Sequence, residues 1–154
     1  MRRSVAAAAG LALMLVPQLR LVAQAQTRTD PATPVLGQWL TQDSDGVFQI
    51  ARCGDMLCGW LVGMRYTGSM PLDVWHRPQC KLALLTKFRP ADEPGHWAGS
   101  ILDPDNGHSY QATIWSPQPD VLKLRGYVLL PMLGETQGWT RYHGTIGPDC
   151  KLPG

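Results

Sequence analysis

The chain has 154 residues with 14 basic and 12 acidic side chains, a formal net charge of +2 at neutral pH. This length fits one domain, and the near balance of charge argues against a nucleic-acid partner or an anionic membrane surface. Arg2, Arg3 and Arg20 lie in the first 25 positions, so the remainder carries 11 basic and 12 acidic residues, a net charge of −1. The positive excess is therefore a property of the N-terminal segment.

That N-terminal segment has the pattern of a secretory signal peptide. Met1-Arg2-Arg3 is a basic start, Val5 to Val16 is apolar and alanine-rich, and Ala23-Gln24-Ala25 fits a small-x-small cleavage site. The apolar run is shorter than the ~20 residues that span a bilayer. We therefore expect residues 1–25 to be cleaved after Ala25, no transmembrane segment afterwards, and a periplasmic or secreted location.

Residues 26–34 are polar with two prolines, which predicts a flexible leader, and residues 35–154 are expected to form one domain. In that domain, apolar side chains alternate with a period of two between turn signals, as in β-strands. In chain order, strands are expected at Val35–Thr41, Val47–Cys53, Leu57–Met64, Cys80–Phe88, His96–Asp103, His108–Trp115, Val121–Tyr127 and Glu135–Tyr142. About eight strands joined mostly by short hairpins predict an all-β, up-and-down antiparallel barrel, with a two-sheet sandwich as the alternative.

Four cysteines follow the predicted cleavage site, and an even number in an exported chain indicates two disulfides. Cys53 and Cys58 flank four residues that could form a tight hairpin. We therefore favour a Cys53–Cys58 disulfide together with Cys80–Cys150, which would tie the C-terminal tail to the barrel wall. Zinc coordination is the alternative, but the C-x₄-C spacing lies outside the usual pattern. No metal and no cofactor are expected.

A series of motifs in fixed order covers nearly all of the chain after the signal. They are Gly37-x-Trp39-Leu40-Thr41, Cys53-Gly54-Asp55-x-Leu57-Cys58-Gly59, Arg77-Pro78, Trp97-x-Gly99-x-Ile101-x-Asp103-Pro104-x-x-Gly107-x-x-Tyr110, Leu122-Lys123-Leu124-Arg125-Gly126 and Thr136-Gln137-x-Trp139-Thr140-Arg141. In order and spacing they resemble the DUF2147 family of exported bacterial proteins. The resemblance implies a calycin-like, lipocalin-type barrel in the bacterial envelope, with no established biochemical activity.

Four residues bracket the first and last predicted strands: Gly37, Trp39, Trp139 and Arg141. In calycin-type barrels the first-strand tryptophan packs at the closed end and a late arginine lies across its ring, so the resemblance implies this contact for Trp39 and Arg141. A guanidinium over an indole is a cation–π contact of about 0.5–2 kcal/mol. We expect these four residues to close the barrel rather than to contact a ligand.

Aromatic side chains are numerous for one small domain, and most are expected to fill the core. Some could instead line a cavity, and the candidate ligand-binding residues are Trp60, Trp97, Tyr110, Arg125 and Tyr127. No nucleophile with a partner base and no catalytic carboxylate pair stands out, so we do not expect an enzyme. The sequence favours an exported barrel that binds a small apolar or amphipathic ligand. The alternative is an envelope protein-interaction or stress-protection module without a small-molecule ligand.

Overall fold

The computed structural model describes residues 29–127 and 134–154, so the predicted signal peptide lies outside the described residues. The strands are β1 Gly37–Leu40, β2 Gly46–Cys53, β3 Met56–Met64, β4 Ala83–Pro90, β5 Trp97–Leu102, β6 Ser109–Gln118, β7 Val121–Tyr127 and β8 Glu135–Arg141. Each strand pairs with the next, and β8 pairs with β1 to close the sheet. The predicted up-and-down antiparallel barrel is confirmed, and the sandwich alternative is wrong.

Two strands, β1 and β4, begin two or more residues later than the sequence predicts, because local turns precede them. The Val35 backbone N–H donates to the Ala32 carbonyl at 2.9 Å, so β1 starts only at Gly37. Before β4, the Leu82 N–H donates to the Gln79 carbonyl at 3.0 Å. Cys80 therefore lies in the β3–β4 connection and not in a strand.

Alternate apolar side chains fill most of the barrel interior. Glycines provide room where a large side chain from the neighbouring strand crosses the interior: a Cβ atom on Gly59 would lie 2.6 Å from Leu85, and one on Gly99 would lie 2.6 Å from Phe88. Such contacts give the close packing of a protein interior. The largest fully buried side chains are those of Trp39, Trp139, Phe88, Ile50, Leu57, Leu85, Ile114, Leu122, Val35 and Val47.

The barrel has two ends that differ in composition. The closed end carries the β2–β3, β4–β5 and β6–β7 turns together with residues 29–36. Ala32 is fully buried there, and Arg52 forms an ion pair with Asp30. These contacts hold the described part of the segment that was expected to be a flexible leader against the barrel. The open end carries the β1–β2 turn (41–45), the β3–β4 connection (65–82) and the β5–β6 turn (103–108).

Two disulfides join Cys53 to Cys58 and Cys80 to Cys150, which is the pairing that the sequence favours. The first spans the β2–β3 hairpin at the closed end. The second ties the C-terminal tail to the β3–β4 connection, and the Leu152 N–H adds a hydrogen bond of 2.9 Å to the carbonyl of Met64. In the two described ranges, no helix has the length and apolarity needed to cross a membrane.

Candidate functional site

A cavity of about 450 Å³ lies at the open end, where β5, β6, β7 and β8 meet. Register brings its residues together, because Ile101 of β5 pairs with Tyr110 of β6, and Leu124 of β7 pairs with Gln137 of β8. We call it the open-end cavity. The described residues that line it are Ile101, Asp103, Tyr110, Leu124, Gly126, Tyr127, Glu135 and Gln137.

The cavity exists because inward-facing side chains become smaller or more polar toward the open end. Along β7 the inward series is Leu122, Leu124 and then Gly126, of which the first two are buried. A Cβ atom on Gly126 would meet no described atom within 4 Å, so space opens directly above Leu124. Along β8 the series runs from buried Trp139 to half-buried Gln137.

Polar groups at the cavity are held in place by local hydrogen bonds. The Asp103 carboxylate accepts from the backbone N–H of Asp105 at 2.9 Å and from the Asn106 side-chain amide at 2.8 Å. The Gln137 carbonyl oxygen accepts from the Trp139 indole N–H at 2.9 Å. Together with the apolar floor, these oriented groups make an amphipathic site that suits a ligand with both apolar and polar parts.

The structure brings only two of the five candidate ligand-binding residues to this cavity, Tyr110 and Tyr127. Trp97 is buried in the core near the closed end, where the centre of its ring lies 5.8 Å from the Arg52 guanidinium carbon. Trp60 is half-buried on the outer face of β3, and Arg125 is half-buried on the outer face of β7. The Arg125 guanidinium donates to the Thr136 hydroxyl at 2.8 Å.

The remaining cavity residues, including the two carboxylates Asp103 and Glu135, were not predicted from the sequence. The available signal was the inward alternation of β7, which ends on a glycine where a core position should carry a large side chain. A glycine at the last inward position of a strand leaves space for a ligand or for another backbone.

A second, smaller cavity of about 240 Å³ opens at the same end. It lies between the β1–β2 turn and the β3–β4 connection, and Phe48 and Leu61 line its inner side. Phe48 also stacks on Trp139 with ring centroids 4.8 Å apart. The interior of the barrel is therefore less completely filled at the open end than at the closed end.

At the closed end, the Arg141 guanidinium carbon lies 4.0 Å from the centre of the Trp39 ring, and Trp39 is fully buried. Arg141 also donates to the Leu36 carbonyl at 3.0 Å and to the Asp120 carboxylate at 3.0 Å. Gly37 has φ of +117°, and a Cβ atom there would lie 2.7 Å from the Arg141 guanidinium. A glycine is needed because this φ is strained for other residues and the guanidinium occupies the space.

Comparison with known proteins assigns this barrel to a family. A family model described as "Uncharacterized protein conserved in bacteria (DUF2147)" matches residues 37–141, which is more than half of the chain. The chain belongs to the DUF2147 family. No curated protein and no solved structure matches it. The DUF2147 match begins at the first residue of β1 and ends at the last residue of β8, so it covers the whole barrel.

The DUF2147 barrel also presents an apolar patch on the β3–β4 connection. Its members are Leu72, Val74 and Trp75, whose exposed fractions are 48%, 46% and 53%. The Val74 N–H donates to the Pro104 carbonyl at 2.8 Å, which places the patch beside the β5–β6 turn.

Asp73 organises this apolar patch from beneath. Its side chain has no accessible surface and accepts from the backbone N–H groups of Trp75 at 2.9 Å and Arg77 at 2.8 Å. Burial opposes ionisation, but the hydrogen bonds from Arg77 and Trp75 and the Arg77 charge outweigh it, so the pKa of Asp73 is lowered. The ionised carboxylate thus fixes the loop that carries the exposed tryptophan.

Proposed function

We propose that this DUF2147 protein is an exported binding protein that holds a small amphipathic molecule in the open-end cavity. The observation that carries the proposal is the position and lining of this cavity, which opens at the mouth of the barrel where β5, β6, β7 and β8 meet. Its volume of about 450 Å³, like that of two clefts on the outside of the barrel, falls in the range of small-molecule sites, roughly 300–1,000 Å³. Its apolar floor of Ile101 and Leu124 lies below polar groups from the strand ends. A molecule with an apolar body and a polar head matches that arrangement.

Export to the periplasm is part of the proposal. The two disulfides are typical of an oxidising compartment, since they are rare in cytosolic proteins. The signal-peptide pattern that ends at Ala25 supports the same location from the sequence. A periplasmic barrel would meet amphipathic molecules released from the membranes on either side.

We propose binding rather than catalysis. Of the usual catalytic nucleophiles and bases, the described residues that line the cavity include carboxylates and tyrosines but no histidine, cysteine, serine or lysine. Asp103 accepts two hydrogen bonds within its own turn. These features suit a group that orients a ligand rather than one that transfers a proton.

The test uses native mass spectrometry of the full protein purified gently from its own periplasm, with thermal melting against fatty acids, lysophospholipids and alkylammonium compounds. We expect a bound mass and a stabilising ligand, since a ligand at 100 times its Kd adds about 2.7 kcal/mol to stability. Gly126→Leu should abolish both effects, because its side chain would occupy open cavity space. Thr113→Leu, on the outer face of β6, is the matched control and should retain them.

An unliganded mass alone, with no compound that raises the melting temperature of the wild-type protein, would reject ligand binding. Equal binding by wild type and folded Gly126→Leu would instead move the site away from the open-end cavity.

The apolar patch favours a second candidate function, docking of a partner protein in the envelope. Exposed Trp75 stacks under Arg77, with the guanidinium carbon 4.9 Å from the ring centre, and tryptophan and arginine are enriched at interface hot spots. A photo-crosslinking amino acid at Val74 should then give a discrete product in cells that Trp75→Ala abolishes. The same probe at exposed Asp92, at the closed end, is the control. Absence of any product specific to Val74 would contradict this function.

A further inference from the structure

We propose that the open-end cavity selects amphiphiles whose head group is cationic, such as an alkylammonium. This inference rests on the proposed ligand-binding function and specifies the class of ligand. It distinguishes cationic amphiphiles from fatty acids and other anionic amphiphiles, which a small barrel with an apolar interior could otherwise accept.

The first observation is the sign of the charge at the cavity. Asp103 follows the end of β5, and Glu135 begins β8, so two different strands each place a carboxylate at the cavity. The described residues that line it include no lysine, arginine or histidine. Carboxylates beside low-dielectric walls concentrate cations and repel anions.

Basic side chains near the cavity face the other way. Arg125 alternates with inward Leu124 and Gly126, so it lies on the outer face, where it donates to Thr136. Lys123 occupies the same outer face, opposite Gly138 of β8. The positive charges of β7 therefore lie on the side of the sheet opposite to the cavity.

The second observation is the ring of Tyr110, which is in phase with buried Ala112 and Ile114 on the inward face of β6. Tyr110 lines the cavity, and His108 makes an edge contact with its ring, with centroids 6.4 Å apart. Tyr127 borders the cavity at the end of β7, but it follows inward Gly126 and so lies on the outer side of that strand. The face of a tyrosine ring attracts cations, and aromatic rings are a recurrent feature of sites for quaternary ammonium groups. The described residues that line the cavity offer no cationic partner for a sulfate or carboxylate head.

The third observation separates an amphiphile from a small free cation. Ile101 and Leu124 form an apolar floor between the carboxylates and the buried core. A bare ammonium ion would leave this surface in contact with water, whereas an alkyl chain would cover it. Both parts of the ligand should therefore be needed for binding.

The experiment measures calorimetric Kd values for three decyl compounds below their micelle concentrations: decyltrimethylammonium, decyl sulfate and decyl maltoside. Tetramethylammonium tests the head group alone. We expect decyltrimethylammonium to bind about tenfold or more tightly than decyl sulfate, and tetramethylammonium to bind far more weakly. The preference should shrink several-fold in Glu135→Gln and further when Asp103→Asn is added, whereas Asp92→Asn, the same charge change at the closed end, should preserve it.

Each outcome separates the two proposals. Binding of decyl sulfate as tight as that of decyltrimethylammonium overturns cation selectivity and leaves ligand binding intact. A preference that survives in the Glu135→Gln, Asp103→Asn double variant also overturns it, because the carboxylates would then not be the cause. Binding of tetramethylammonium as tight as that of the decyl compound would reject an amphiphile. If none of the four probes binds, and folded Gly126→Leu gives the same native mass spectrum and the same melting shifts as the wild type, the proposed function itself is rejected.

Discussion

The two ends of the barrel are built from the same alternation of inward and outward residues but from side chains of different size. At the closed end the inward positions carry Trp39 and Trp97, both buried, and Arg141 lies across the Trp39 ring. At the open end the inward positions carry Gly126, which has no side chain, and Glu135, which has a carboxylate. One end is thus packed for stability, and the other leaves space with oriented polar groups.

This difference teaches that a barrel can separate its stabilising residues from its candidate binding residues along one axis. Substitutions at the closed end should lower the free energy of unfolding, and substitutions at the open-end cavity should change binding with little effect on folding. Sites supported by a rigid scaffold are expected to behave in this way.

Trp39→Ala should give the greatest loss of stability. The side chain is fully buried, and truncation of a buried tryptophan typically costs about 3–5 kcal/mol. The matched control is Trp75→Ala at the open end, where the side chain is 53% exposed and the cost should stay below about 1 kcal/mol. Denaturant unfolding of both variants measures the difference, and equal losses would contradict the division between the ends.

The disulfides should rank by the length of chain that they enclose. Cys80 and Cys150 are 70 residues apart, and Cys53 and Cys58 are 5 apart. In the chain-entropy description, loss of the longer bridge by paired serine substitution should cost about 4 kcal/mol and loss of the shorter about 2 kcal/mol. Chemical unfolding of the two double variants tests the order. A greater loss at the short hairpin would show that native-state contacts, and not loop length, govern it.

Arg141→Lys should destabilise despite retaining the charge. The guanidinium covers the Trp39 ring while donating to Leu36 and Asp120, and an ammonium group cannot make these contacts at once. We expect a loss of about 1–3 kcal/mol in thermal or chemical unfolding. Arg125→Lys, on the outer face of β7, is the control. An equal loss of stability in that variant would show that the contacts of Arg141 at the closed end do not contribute more than those of an arginine on the outer face.

Most of the fold follows from local patterns in the sequence. Period-two alternation and turn residues predict the eight strands, and Val121–Tyr127 occupies the predicted residues. The errors at β1 and β4 arise where a side-chain contact accompanies a turn and outweighs strand preference. At Val35 the turn occurs where the Trp39 indole N–H donates to the Val35 carbonyl. Cys80 lies in the β3–β4 connection, where it forms a disulfide with Cys150, 70 residues away.

The candidate site could be predicted only in part. Tyr110 and Tyr127 were identified as aromatic residues, but aromatic type does not say which face of a strand a residue occupies. Trp60 therefore seemed as suitable as Tyr110, although it lies on the outer face. Asp103 acts as a turn residue, and its position at a cavity depends on strand register that only the closed barrel defines.

Acid should weaken the closed end slightly through the Asp30–Arg52 pair. Hydrogen bonds from the Arg52 guanidinium and the Ala32 N–H lower the pKa of Asp30 from 3.8 to about 2. A lowered pKa in the folded state means that this contribution to stability is present above about pH 4 and is lost as the pH falls toward about 2.

Asp30→Asn should therefore flatten the fall in melting temperature over that acidic range. Asp92→Asn, which removes another carboxylate at the closed end, should retain the wild-type profile. A wild-type profile in Asp30→Asn as well would show that the pair does not anchor residues 29–36.

The separation of the two ends is tested most directly by an NMR titration of backbone amide signals with decyltrimethylammonium below its micelle concentration. We predict that the largest shifts fall on Ile101, Leu124 and Gly126, and that Trp39 and Arg141 at the closed end remain unchanged. Shifts confined to the closed end or to the apolar patch, with none at these three residues, would contradict the assignment of binding to the open end.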